Sequence, residues 1–324
     1  MKRIAALDPA TYQRHSIHGA NRAWAETNCY ADVVIELLHG LGHEPIAALP
    51  FTFAIDFEGD QWTFFKFPHA DLYELYGFDI QELAVWRALV DHITEQVAAG
   101  RPVLVELDSY FLPDTAGTAY KLAHVKSTVA VNEIDTQKRH LGYFHNQGYH
   151  ALDGADFSDV FQLDGLVHER MLPPYVEYVK VRSGFVPLAA GTLLEVSLEL
   201  LKKHLARVPH ENPFTHFKTR FAADLEWLLQ ADIESFHAYS FATLRQYGAC
   251  YELSETYLRW LGERGVDRLD RAAGAFQQIS QTAKAFQFQL ARSVARKRTL
   301  DLSPLDAMAA QWELGIAELR PRLG

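Results

Sequence analysis

Residues 22–41 read RAWAETNCYADVVIELLHGL, a polar segment that changes into an apolar-periodic helix at Cys29. Apolar residues then recur at helical spacing, as Val33, Val34, Leu37, Leu38 and Leu41. Thr27 or Asn28 is the expected N-cap, because either side chain can accept a hydrogen bond from the first turn. That turn presents unpaired N–H groups and the positive end of the helix dipole, which favour a thiolate over a thiol. Cys29 is therefore a candidate nucleophile.

Length and charge limit the class of protein. A chain of 324 residues favours two domains. A net charge of -10 argues against non-specific binding to nucleic acid or to an anionic membrane surface. The sequence has no apolar stretch of about 18 residues and no signal-peptide core at its start. Two distant cysteines do not make a disulfide framework, so we expect a cytoplasmic protein with free thiols.

The pattern predicts an α+β domain over residues 1–186 and an all-helical domain over 187–324. In the first domain it predicts an aromatic strand–turn–strand over 49–67, a helix over 79–99 and a loop over 146–165. Three further strands are expected, at 103–107, 125–134 and 141–145. The segment 171–180 is expected to close this domain.

A histidine and an asparagine follow Cys29 in an order that suits nucleophilic catalysis. His124 stands just before one predicted strand, and Asn146 follows the next. In papain-like folds the cysteine begins a long helix, the base histidine comes from a later strand, and an amide or carboxylate orients its ring. The alternative is that Cys29 is a packed small residue, which is the commoner role of a cysteine at a helix start. A one-residue register slip would exchange Asn146 for His145, so that choice stays open.

The stretch PVLVELDSYFLP at 102–113, together with His124 and its strand, resembles the N-terminal domain of the butirosin-type acyltransferases. These papain-like proteins transfer an acyl group from a carrier protein to an amine, and the resemblance extends from about Asn28 to Asn146. The segments 24–30, 56–67 and 143–146 more closely resemble a bacterial family of unassigned function, encoded near amino acid:carrier protein ligases.

This resemblance implies a papain-like fold, with Cys29 as nucleophile, His124 as base and Asn146 as the orienting residue. One departure is that papain-type enzymes carry an oxyanion-hole glutamine about six residues before the cysteine, where this chain has Ala23. The side chain of Asn28 or Asn21 is the candidate replacement. Candidate substrate-binding residues are Asp108, Tyr110 and His145, and Asp108 could equally cap the loop that follows it.

The expected function is transfer of an acyl or aminoacyl group from the phosphopantetheine thioester of an acyl carrier protein to a small-molecule or protein acceptor. Release to water by a thioesterase or amidohydrolase is one alternative, and a non-catalytic carrier-protein-binding partner is the other. We expect no metal and no cofactor besides the carrier's phosphopantetheine arm. A basic cluster could dock an acidic carrier, or could simply complement a helix C-terminus; it consists of Arg292, Arg296, Lys297 and Arg298.

Overall fold

The structure, a computed structural model, describes residues 1–164 and 174–323. The chain forms two compact units and passes between them several times. The first comprises Met1–Gly19, Asn28–Pro45 and His69–Pro187, and the second comprises Ala20–Thr27, Ile46–Pro68 and Leu188–Gly324. The last passage lies at 187/188, beside the predicted boundary, but two short earlier segments also belong to the second unit.

The first unit contains a seven-stranded sheet in which every recorded strand pair is antiparallel. The strands are β1 (Lys2–Arg3), β2 (Phe78–Glu82), β3 (Val103–Asp108), β4 (Lys126–Asp135), β5 (His140–His145), β6 (Gly148–Asp153) and β7 (Val176–Val181). They lie in the order β2-β7-β3-β4-β5-β6, and β1 pairs with the end of β4. The chain is therefore a mixed α+β protein with a helical C-terminal region.

The first unit also contains the helices α1 (Cys29–Gly40), α2 (His69–Tyr76), α3 (Leu89–Ala98) and α4 (Gly154–Val160). The predicted helix over 79–99 was wrong in its first half, because residues 78–82 pair with β7 as a strand and the helix begins at Leu89. The predicted loop over 146–165 was wrong in that it contains β6 and α4. Part of the predicted closing segment, 171–173, lies outside the described residues.

The two faces of the sheet carry different layers. In the first half of β4 the even-numbered residues face α1, as shown by Thr128, which contacts Cys29; a bulge between Val131 and Glu133 then shifts the alternation. Odd-numbered residues such as Val129 and Val131 face a core formed with α3 and α4. On α1, Gly40 is required for close packing, because a Cβ there would lie 2.5 Å from the ring of Phe144 on β5. The helix that carries Cys29 is thus seated directly on the sheet.

A buried histidine attaches the N-terminal segment to α1. His18 is fully buried, with Nδ1 against Glu36 and Nε2 3.2 Å from the Asp32 carboxylate, both on α1. The Tyr12 hydroxyl donates to Glu36 at 2.6 Å, and the His15 backbone N–H donates to it at 3.0 Å. Burial opposes a charge on the ring, but the hydrogen bonds and charges of Asp32 and Glu36 outweigh it and raise the pKa of His18 to about 9.

The second unit contains α5 (Ala190–Leu205), α6 (Pro213–Leu228), α7 (Ile233–Ser240), α8 (Gln246–Gly262), α9 (Asp270–Arg296) and α10 (Ser303–Leu323). One π-helical turn, Phe241–Arg245, joins α7 to α8. The helix α9 packs against both α8 and α10. Among the described residues, no helix is both long and apolar enough to span a bilayer.

The predicted strand–turn–strand over 49–67 was wrong. Residues 50–54 form a 3-10 helix, and the only β pairing recorded in this stretch is a single bridge between Phe57 and Trp62. The aromatic side chains instead insert among helices of the same unit: Phe53 packs against Phe276, and Trp62 packs against Tyr247. Aromatic side chains pack into a helical core as readily as against a sheet, so an aromatic run does not by itself indicate a strand.

The buried contacts of His18 with Asp32 and Glu36 are expected to make the stability of the fold depend on pH. Breaking a buried ion pair by removing one partner typically costs about 3–5 kcal/mol, so His18→Gln should destabilise the fold by that amount at neutral pH. Because the pKa of His18 in the folded protein exceeds the ordinary value of about 6.5, its contribution is complete below about pH 6.5 and is lost as pH rises through about 9.

Urea unfolding of wild type and variant from about pH 6 to 10 measures this effect. The wild-type free energy of unfolding should fall more steeply than that of His18→Gln across this range. The control is His39→Gln on the same helix, where the ring contacts the Gln13 carbonyl at 3.0 Å and packs against the rings of Tyr12 and His15, without a carboxylate partner among the described residues. Parallel curves for wild type and His18→Gln would contradict the prediction.

Candidate functional site

Cys29 is the first residue of α1, as the sequence predicted. Asn28 is the N-cap, and its side-chain oxygen accepts from the Ala31 N–H at 2.9 Å. The thiol is half-buried, and its Sγ lies 3.7 Å from the hydroxyl oxygen of Thr128 on β4. The side chain opposite the thiol is therefore a hydroxyl.

His124 forms a pair with Asp108 at the end of β3. Its Nδ1 lies 2.6 Å from the Asp108 Oδ2, and the Tyr110 ring stacks on the imidazole at 4.3 Å with an interplanar angle of 11°. The other Asp108 oxygen accepts from the Tyr110 backbone N–H at 3.0 Å, so Asp108 also caps the turn that follows. With the carboxylate accepting from Nδ1–H, the neutral ring keeps Nε2 as its acceptor atom. The imidazole is 68% exposed and accessible to a substrate.

The structure does not bring Cys29 and His124 together. Among the described residues they share no hydrogen bond: Cys29 contacts Thr128, and His124 contacts Asp108. The ladder continues beyond β4, since the Ser109 N–H donates to the Val125 carbonyl at 2.8 Å. Four extended residues span about 13 Å, which separates the backbone of His124 from that of Thr128 along the same side of the strand.

Between these two positions the same face of the sheet carries an ion pair. The Lys126 ammonium lies 2.8 Å from the Glu106 carboxylate on the neighbouring strand. Glu106 is the register partner of Thr128, and Asp108 is the partner of Lys126. A row of polar side chains thus extends along β3 and β4 from the thiol to the imidazole.

Asn146 and His145 take different places from those expected of an orienting residue. Asn146 begins the two-residue loop between β5 and β6 with φ of 47°, a conformation that asparagine tolerates better than most residues. His145 is 1% exposed and pairs in register with Val129, so it lies on the face of the sheet away from α1. Within the described part of the chain neither residue bonds His124, whose ring is held by Asp108.

On that opposite face His145 forms a hydrogen-bonded chain that the sequence did not predict. Its Nδ1 lies 2.6 Å from Asp114 Oδ2, its Nε2 lies 2.6 Å from the Ser127 hydroxyl, and Tyr143 donates to the other Asp114 oxygen at 2.5 Å. Burial alone would raise the pKa of Asp114, but the hydrogen bond and charge of His145, with His150 and Tyr143, lower it. Asp114 is therefore ionised and accepts from the Nδ1–H of His145, whose other ring nitrogen contacts the Ser127 hydroxyl.

A buried carboxylate also lies beside the start of α1. The Tyr30 hydroxyl donates to Glu177 at 3.1 Å, the Tyr175 hydroxyl donates to its other oxygen at 2.8 Å, and His69 lies 3.5 Å away. Burial, together with the hydrogen bond and charge of Glu177, raises the pKa of Tyr175 to about 12. Tyr30 directly follows Cys29, so this network fixes the first turn of α1 against β7.

The remaining candidate residues have other places in the fold. Asn28 is buried and uses its side-chain oxygen as the helix cap, while Asn21 is an exposed residue of the second unit. The basic cluster at residues 292–298 is exposed at the C-terminal end of α9, where the C-cap Lys297 has φ of 50°. No group of three or more potential metal ligands occurs within the part of the chain that the structure describes.

Two family models match the chain and together cover most of it. A model described as the DUF1839 N-terminal domain matches residues 13–181, and one described as the DUF1839 C-terminal domain matches residues 190–321. A search of curated proteins finds no match.

The hydrogen bonds that join Ser127, His145, Asp114 and Tyr143 are expected to stabilise the fold. Asp114→Asn places an amide NH₂ opposite either the His145 Nδ1–H or the Tyr143 hydroxyl, and should destabilise the fold by about 3 kcal/mol. Asp153 provides a matched control, because it contacts His140 Nδ1 at the same distance, 2.6 Å, but is 67% exposed. Asp153→Asn should cost less than about 1 kcal/mol in the same urea titration. Equal losses in the two variants would contradict the prediction.

Proposed function

The chain belongs to the DUF1839 family, and we propose that it is a cysteine-dependent acyltransferase in which Cys29 carries the acyl group. The observation that supports this best is a half-buried thiol at the first residue of α1, with a capped helix start behind it. The proposal includes a papain-like arrangement, in which the helix bearing the cysteine lies across an antiparallel sheet.

The first step is an exchange of thioesters. The Cys29 thiolate attacks the carbonyl carbon of the donor thioester, a new C–S bond forms to Sγ, and the bond to the donor sulfur breaks. The electron pair of that bond leaves with the donor sulfur, which takes up a proton from solvent. Neither sulfur needs a general acid or base beside it, because a thiolate is a good nucleophile and a good leaving group. A hydroxyl partner such as Thr128 is compatible with this step.

The second step transfers the acyl group to an acceptor and requires a base. An attacking amine must lose a proton. His124 is the proposed base, since Asp108 holds one ring nitrogen and leaves Nε2 to accept, and the step requires its imidazole to come within hydrogen-bond reach of the amine at Cys29. When the tetrahedral intermediate collapses, the bond to Sγ breaks and Cys29 leaves as a thiolate. Asp108 therefore takes the orienting role that the resemblance had implied for Asn146.

The proposed donor is the phosphopantetheine thioester of an acyl carrier protein, carrying an acyl or aminoacyl group. This part of the proposal rests on the resemblance of residues 102–113 and 124–146 to carrier-protein-dependent acyltransferases. The proposed acceptor is an amine on a small molecule or a protein.

A second candidate function is a non-catalytic carrier-protein-binding partner. One specific observation favours it: the residue that faces the thiol is Thr128, and the candidate base His124 lies four residues earlier, about 13 Å along an extended backbone. A chain that only binds a carrier needs no base at this position.

Intact-mass analysis after mixing with an aminoacylated carrier protein tests the proposal. Wild type should gain the mass of the acyl group, and Cys29→Ala should not. Cys250→Ala is the matched control and should keep the adduct, because that thiol is fully buried in the second unit. Binding of the carrier without an adduct and without loss of thioester would favour the second candidate. An adduct that turns over without an added amine would indicate a thioesterase.

A variant of His124 separates the two steps. We expect His124→Gln to form the adduct on Cys29 at close to the wild-type rate but to transfer it to an amine at least about 100-fold more slowly, which is typical of a lost general base. His140→Gln is the control, because His140 forms a similar pair with Asp153 on β6. Single-turnover kinetics measure both rates. Equal transfer rates in the two variants would remove His124 from the mechanism.

A further inference from the structure

The segment Ala20–Thr27, which leads directly into Cys29 and its cap, is held by side chains of the helical unit. Trp24 is 2% exposed although the segment also carries the polar residues Arg22 and Glu26. Short polar segments between elements usually lie on the surface with water as their partner. The segment Ala20–Thr27 differs in that protein groups hold its backbone and bury its tryptophan.

Glu252 on α8 makes the central contact. One carboxylate oxygen accepts from the Ala23 N–H and the other accepts from the Trp24 N–H, each at 2.9 Å. The Arg22 guanidinium lies 3.6 Å from the same carboxylate and donates to Thr256, one turn further along α8, at 2.6 Å. Hydrogen bonds to a charged group are stronger than those between neutral groups, so this carboxylate fixes two consecutive peptide units.

Trp24 fills a space built for it between α8 and α9. Its Nε1 donates to the Ser280 carbonyl at 3.3 Å, and the Lys284 ammonium lies 4.1 Å from the ring. Gly248 on α8 leaves the room: a Cβ added there would lie 2.5 Å from the Trp24 ring and 3.0 Å from Ala283. The absence of a side chain at 248 is thus explained by the indole.

The last residue of the segment is also held. The Arg245 Nε donates to the Thr27 carbonyl at 2.8 Å, and Asn28 then caps the helix that begins at Cys29. Contacts at Ala23, Trp24 and Thr27 therefore fix the backbone within six residues of the thiol. A displacement of about 1 Å at a reacting group can cost about 100-fold in rate, so an anchor this close bears on the chemistry.

We infer that Glu252 is a positioning residue for Cys29, acting through the backbone of the segment 20–27 that it holds. The catalytic consequence rests on the proposed function, in which Cys29 is the nucleophile. The positioning itself concerns the thiol alone and can be measured without any acyl transfer.

Two substitutions on α8 weaken the anchoring of the segment 20–27, and each has a control on the same helix. Glu252→Gln keeps the size of the side chain but turns an NH₂ group toward one of the two backbone N–H donors. Its control is Glu255→Gln, the same change three residues later, where the carboxylate contacts Arg259 instead. Gly248→Ala displaces Trp24, and its control is Gly262→Ala on the same helix, where an added Cβ meets nothing within 4 Å.

The measurement is the rate of Cys29 alkylation by iodoacetamide at neutral pH, followed by peptide mass spectrometry. Glu252→Gln and Gly248→Ala should slow it at least about threefold, because a frayed first turn no longer presents its N–H groups and the positive end of the helix dipole to the reacting sulfur. The two controls should match wild type. Cys250 is fully buried and stays unlabelled while the protein is folded, so it reports any general unfolding.

A second measurement distinguishes positioning from loss of stability. Deuterium uptake over residues 29–38 should rise in Glu252→Gln and Gly248→Ala, while uptake over β3, β4 and β5 stays as in wild type. Unchanged or faster alkylation of Cys29 in folded Glu252→Gln would overturn the inference. If no acyl adduct forms in wild type but the alkylation differences appear, the proposed function fails and the positioning stands.

Discussion

The alternation of side chains along β4 is the constraint on which the rest of this site depends. Consecutive residues of a strand face opposite sides of a sheet, so Thr128 meets Cys29 under α1 while Ser127 meets His145 on the other side. Two polar clusters therefore lie back to back on one strand. A shift of one residue in the pairing of β4 would exchange the clusters and bury the wrong side chains, and the apolar core on the far side opposes such a shift.

The local features around Cys29 could be predicted from the sequence. The start of α1, its N-cap and the strands β3, β4 and β5 all follow from apolar spacing and capping chemistry, which act within a few residues. The partner of His124 could not be predicted in the same way. Asp108 and His124 are brought together by the pairing of Asp108 with Lys126, a register that depends on the whole sheet.

The hydrogen bonds of His145 could not be predicted from the sequence for the same reason. His145, Ser127 and Asp114 lie on two strands and a loop, and only the register of β4 against β5 shows that the first two share a face. A sequence shows that each strand alternates but not which residues lie opposite each other. The strand prediction for residues 49–67 was wrong for a related reason. The composition of this segment suits a strand, but its aromatic side chains are buried against helices.

The thiol–hydroxyl pair also bears on which acyl donor suits the proposed function. Cleaving an amide requires a proton for the departing amine, and papain-like proteases supply it from a histidine bonded to the cysteine. Here the cysteine contacts Thr128, while the imidazole stands beside Asp108 at the exposed end of the same row. A thioester donor needs no such proton at the thiol, because sulfur leaves readily as a thiolate. An amine acceptor does need a base, and it approaches from solvent, where His124 is exposed. Within the proposed function, a thiol that contacts a hydroxyl and not an imidazole therefore suits a thioester donor better than an amide donor.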